Sequence, residues 1–121
     1  MKLITTLSLL VALTVNLPLS ASETLIEKVK SVRQSNGSYQ FAVTLRHADK
    51  SWDHYANFWQ VQSEDGKVLA KRVLHHPHVN EQPFTRSLSN VKLPKNTKRV
   101  VVVAGCNVDG VNSKKYLVNL K

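Results

Sequence analysis

Apolar and polar residues alternate with a period of two along most of this chain, and turn-forming residues interrupt the alternation roughly every ten positions. Tyr39, Phe41, Val43 and Leu45 occupy one face of such a segment, with Gln40, Ala42, Thr44 and Arg46 on the other. Asn36-Gly37 precedes it, a dipeptide that suits the positive-φ positions of a tight hairpin. Residues 25–33 form a plausible partner strand with a wet edge at Glu27, Lys28 and Lys30. Further strands are predicted over 57–63, 68–76, 84–91, 99–105 and 116–120, with turns at Asp65-Gly66 and Leu93-Pro94 and a loop over 107–113. Four consecutive valines, Val100 to Val103, mark a central strand covered on both faces. Seven short strands without helical periodicity predict an all-β, single antiparallel sandwich; a small closed barrel is the alternative.

The first 21 residues read as a secretory signal. Lys2 gives a positive start, residues 3–19 are largely apolar, and Pro18, Ser20 and Ala21 supply a breaker followed by small residues. Thr5, Thr6, Ser8, Thr14 and Asn16 dilute the apolar run, which favours cleavage over a retained anchor. The expected product is one periplasmic or secreted domain, residues 22–121, with no stable membrane anchor after cleavage. A chain of that size buries roughly two-thirds of its unfolded surface, enough for a core without cross-links. It carries sixteen basic and eight acidic residues, a balance that favours acidic partners. Export makes nucleic acid the least accessible of these and leaves anionic lipid head groups, an acidic glycan or a protein; the basic residues are scattered rather than run together, so they read first as a solvated surface. Cys106 is the only cysteine, so no internal disulfide can form.

The segments Trp52-Asp53-His54-Tyr55-Ala56 and His76-Pro77-His78-Val79-Asn80-Glu81-Gln82-Pro83-Phe84-Thr85-Arg86 resemble those of a group of small exported bacterial β-sandwich proteins with no established activity. The likeness implies export and a β-fold and supplies no reaction. Where those proteins carry a His- and Gly-rich segment near the C-terminus, this chain has residues 106–113. The stretch from Leu93-Pro94 through the valine strand to Asn107-Val108-Asp109-Gly110 also resembles the end of a fibronectin type III or immunoglobulin-like domain.

Alternating strand direction assigns every turn to one of two poles. Residues 47–56, 75–83 and the end of the valine strand then share one pole, which gathers all five histidines with Asp49, Asp53, Glu81 and Cys106. Imidazole and thiolate are ligands for Zn²⁺ and for copper. His54, His76, His78, His47 and Cys106 are therefore the candidate metal ligands. The His76-x-His78 spacing allows both rings to project to the same side, and strand pairing places His76 about two strands from Cys106. The only methionine is Met1, which departs with the signal, so a thioether copper site is excluded.

Trp52, Tyr55, Phe58 and Trp59 cluster within eight positions. Trp59 has the strand phase of a core residue. Trp52 lies in a polar loop and is a candidate contact for a sugar or a protein, with Asp53, Tyr55, Glu81 and Arg86 as candidate ligand-binding neighbours. No catalytic residue is assigned, because the chain lacks a nucleophile elbow, a phosphate loop and a second cysteine for a redox pair. Three readings result: a non-enzymatic binding module holding a divalent metal (Zn or Cu) through its histidines, a metal-free protein- or glycan-interaction domain, and, as the least supported, a metal-dependent hydrolase that would need an open coordination position and a base such as Glu81.

Overall fold

The computed structural model describes residues 23–120; the signal segment expected over residues 1–21 lies outside them. The described chain is all-β. Its strands are β1 (Leu25–Arg33), β2 (Tyr39–Arg46), β3 (Ala56–Gln62), β4 (Val68–Val73), β5 (Phe84–Val91), β6 (Arg99–Cys106), β7 (Gly110–Val111) and β8 (Tyr116–Asn119). They form two antiparallel sheets: three strands in the order β1-β2-β5, and five in which β4-β3-β6-β7 is extended by β8 on β6. No helix among the described residues is long and apolar enough to cross a membrane.

The inward phases of the two sheets meet in one core. Phe41, Val43, Leu45 and Phe84 come from the first sheet, and Trp59, Val61, Val100, Val102 and Ala104 from the second. Trp59 is fully buried, as its strand phase predicts. In β6 every residue after Arg99 is buried, because β3 flanks one edge while β7 and β8 cover the other. β1 is the wet edge, with alternate residues open to solvent.

Two differences from the sequence reading exceed a single residue at a strand end. The fourth strand ends at Val73 rather than running to residue 76. The buried Leu74 makes one last bond, its N–H donating to Asn57 O at 2.9 Å. Beyond it, Pro77 has no N–H to offer a ladder and restricts His76. The other difference is the short strand β7 inside the segment expected to be a loop. Its Gly110 and Val111 pair with Cys106 and Gly105. Such a close return is possible because Gly105 has no side chain: a Cβ there would collide with the carbonyl of Gly110 and come within 2.7 Å of Phe58 Cε1.

Candidate metal centre

Three of the predicted ligands meet at the pole where β2 ends, β3 begins and β6 ends. His47 follows the last residue of β2, His54 lies two residues before β3, and Cys106 closes β6. One ligand atom from each lies within 4.8 Å of the other two. The cross-strand pair Ala56–Cys106 sets the thiol beside the root of the histidine loop, and Cys106 Sγ is 3.6 Å from His54 Nε2.

Asp49 fixes His47. Its Oδ1 lies 2.6 Å from His47 Nδ1 and accepts the Ala56 N–H at 2.9 Å, while Oδ2 accepts the His78 N–H at 2.8 Å. Burial alone would raise this carboxyl. The hydrogen bonds from His47, His78 and Ala56, with the charge attraction of His47, outweigh that effect and hold it below the usual value. An ionised carboxylate only accepts, so Nδ1 carries a proton, and in the neutral ring Nε2 is the nitrogen that offers a lone pair. That Nε2 is buried and has no hydrogen-bond partner among the described residues.

The loop that carries His54 is equally constrained. Ser51 and His54 form a β-bridge, with Lys50 N–H donating to His54 O and His54 N–H to Ser51 O. Asn107 clamps the loop to the end of β6. Its Oδ1 accepts the Tyr55 N–H at 2.9 Å, and its Nδ2 donates to the carbonyls of Trp52 and Asp53 at 3.1 Å. At the thiol, the Asp109 N–H and Asn112 Nδ2 each donate to Sγ at 3.4 Å, and Asp109 Oδ2 lies 3.7 Å away. Donors directed at sulfur are the outer contacts that tune a metal-bound thiolate.

A tetrahedral ion with ordinary Zn–N and Zn–S bonds would separate its nitrogen and sulfur ligands by about 3.5 Å. The His54–Cys106 spacing already has that value. The His47 ligand atom lies within 4.8 Å of both. Cys106 and His47 are buried, whereas His54 is partly exposed, so one side of the group faces outward.

His76 and His78 form a second assembly. Their ring centroids are 4.5 Å apart, and His78 stacks on Phe84 at 3.9 Å with 9° between planes. Arg86 donates to His78 Nε2 at 2.7 Å, which occupies that lone pair. Burial, the Arg86 charge and His76 push the His78 imidazole below its usual value, against the smaller pull of Asp49 and Glu81. The pair thus lies against β5 rather than beside Cys106, because the chain leaves the second sheet after Leu74. It touches the first assembly through the backbone: Asp49 holds the His78 N–H, and Gln82 bridges the His47 N–H to the His78 carbonyl.

Of the candidate ligand-binding residues, Trp52 is 64% exposed and packs edge-to-face on Tyr55 with centroids 5.6 Å apart. Asp53 and Glu81 are exposed. Arg86 is turned to His78 and the Phe84 ring. Sequence reasoning placed Asp49 at this pole without a role, and it assigned none to Gln82, Asn107, Asp109 or Asn112. The spacing His47-Ala48-Asp49 is the one local signal that could have revealed this carboxylate–imidazole contact.

The geometry defines a small two-sheet β-domain with a His/Cys group at one pole. Over 80 residues, 66% of its length, the chain is 38% identical to a protein of Halomicrobium mukohataei described as "Putative lipoprotein", of which the match covers 39%. The chain thus spans well under half of that relative. No protein-family profile matches the chain, and no solved structure matches it.

Proposed function

We propose that this protein is an exported or envelope-associated, non-enzymatic module that binds one transition-metal ion through His47, His54 and Cys106. The observation that carries the reading is the convergence of His47, His54 and Cys106, with one ligand atom of each within 4.8 Å of the others, beside a His47 ring that Asp49 holds at Nδ1 and whose buried Nε2 has no hydrogen-bond partner among the described residues. A free buried lone pair is costly unless something occupies it. Two imidazoles and a thiolate suit Zn²⁺, copper and Fe²⁺ better than the hard ions Mg²⁺ or Ca²⁺. His54 is open on the solvent side, and Asp109 Oδ2 or water can complete the coordination. The lipoprotein description of the relative and the secretory pattern of residues 1–21 support the envelope assignment. The immunoglobulin or fibronectin III likeness of the two sheets belongs to the same proposal.

Untagged protein is expected to take up about one Zn²⁺ or Cu²⁺ per chain in calorimetric titration. His47→Ala and Cys106→Ser should each lower the affinity at least about a hundredfold. The double change His76→Ala/His78→Ala should leave stoichiometry unchanged. Uptake that survives in Cys106→Ser but disappears in the His76/His78 variant would reverse the assignment.

The exposed Trp52–Tyr55 pair supports a second reading, a glycan- or protein-contact surface on the same rim. Binding there would persist in chelator.

A further inference from the structure

The opposite pole carries a different kind of site. It is built from the turns over 34–38, 63–67 and 92–98 together with the end of β8, as the pairs Arg33–Tyr39, Gln62–Val68 and Arg99–Asn119 require. Arg33, Lys67, Lys92, Lys95, Lys98 and Arg99 lie at this end. Only two of the eight acidic residues of the chain, Glu64 and Asp65, accompany them. Glu64 is taken by Arg99 at 3.1 Å and Asp65 by Ser63. Arg33, Lys95 and Lys98 have no carboxylate partner among the described residues.

Two depressions open here. One, of about 500 Å³, lies where the ends of the two sheets meet and is lined by Arg33, Lys95 and Lys98 with Tyr39 and Leu93. The second, of about 710 Å³, is lined by Arg99 and also by Glu64 and Asp65. The two adjoin at Asn96, Thr97, Lys98 and Leu120. Around the first, the basic groove, Arg33, Lys95 and Lys98 stand with amide, hydroxyl and aromatic groups between them. Of the exposed large apolar side chains, only Val32 and Val68 flank the turns at this end, a small apolar area beside six cations. A basic, hydrogen-bonding groove with an aromatic wall matches a flexible acidic chain.

We infer that this groove binds an acidic polysaccharide, one bearing uronate or sulfate groups, with Arg33, Lys95 and Lys98 as its main anion contacts. β6 runs from this pole to the histidine pole over eight residues, roughly 23 Å. A glycan docked here leaves the His47–His54–Cys106 group facing away from it.

Mature protein, residues 22–121, is tested for binding to polygalacturonate and to heparin, with neutral dextran and phosphatidylglycerol vesicles as the other arms. Binding to the acidic glycans should weaken as salt rises. The triple change Arg33→Ser/Lys95→Ser/Lys98→Ser should reduce affinity by about tenfold or more. The triple change Lys28→Ser/Lys30→Ser/Lys114→Ser removes the same charge from exposed positions elsewhere and should reduce it by about threefold at most. An equal loss in both triple variants would mean attraction by net charge alone and overturn the inference. So would preference for the vesicles, or no binding to either acidic glycan by a protein whose circular dichroism shows it folded. None of these arms depends on metal uptake, so this site and the metal centre stand or fall separately.

Discussion

At the scale of single residues, Asp49 ties three segments of the histidine pole together. It orients His47, closes the loop onto Ala56 and captures the backbone of His78. Replacing it with Ala leaves a buried imidazole N–H and two backbone N–H groups without acceptors. Hydrogen bonds to a charged acceptor are individually worth about 1.5–3 kcal/mol. Asp49→Ala should therefore cost about 3 kcal/mol of stability, read from the denaturant midpoint at constant slope. The same variant should weaken metal uptake, since His47 loses the contact that presents Nε2. A stability within about 0.5 kcal/mol of the parent would show that the network is replaceable by water. The trio at this pole was only partly legible in the sequence. His47, His54 and Cys106 could be listed as ligand types, but so could His76 and His78. Nothing in one dimension reveals that the lone pair of His78 is already engaged by Arg86.

At the scale of elements, the return of the chain after Cys106 decides the shape of the thiol environment. β7 can approach β6 only because position 105 lacks a Cβ, and that approach brings Asp109 and Asn112 to the sulfur. Gly105→Ala should push β7 away at a cost of about 1–3 kcal/mol. It should also weaken metal uptake without changing any ligand. Calorimetry beside a thermal melt checks both effects, and wild-type affinity in a folded Gly105→Ala protein would refute the role given to β7. The period-two pattern located β2, β5 and β6 well because each has one or two faces that must be dry. It could not find β7, which has two residues and no buried face.

At the scale of the whole molecule, acid works on a group held in its neutral form. His78 is shifted downward from its usual value of 6.5 in the folded state. The unfolded chain therefore binds the proton more readily, and folding stability is complete above about pH 6.5 and declines as pH falls through the folded value. The Asp49 carboxyl, held below 3.8, adds a second loss at more acidic pH. Urea melts between about pH 7 and 5 should show falling stability, and His78→Gln should flatten that slope even though it removes the stack on Phe84. An unchanged slope would assign the loss to another group. The distribution of charge is also a property of the whole fold: scattered along the chain, the lysines and arginines read as a solvated surface, yet folding concentrates six at one end.

Local pattern was enough to specify strands, hairpins and a two-faced core, because alternation and turn chemistry act between near neighbours and each strand must bury one side. The pole at which the histidines gather could also be inferred, since antiparallel direction follows from short connections. Which imidazoles converge on Cys106, and where three cations line a common groove, are decided between residues 52 to 65 positions apart, and even the stack of His78 on Phe84, six positions away, depends on how the chain leaves β4. Those contacts depend on register and packing across two sheets, which no local regularity encodes.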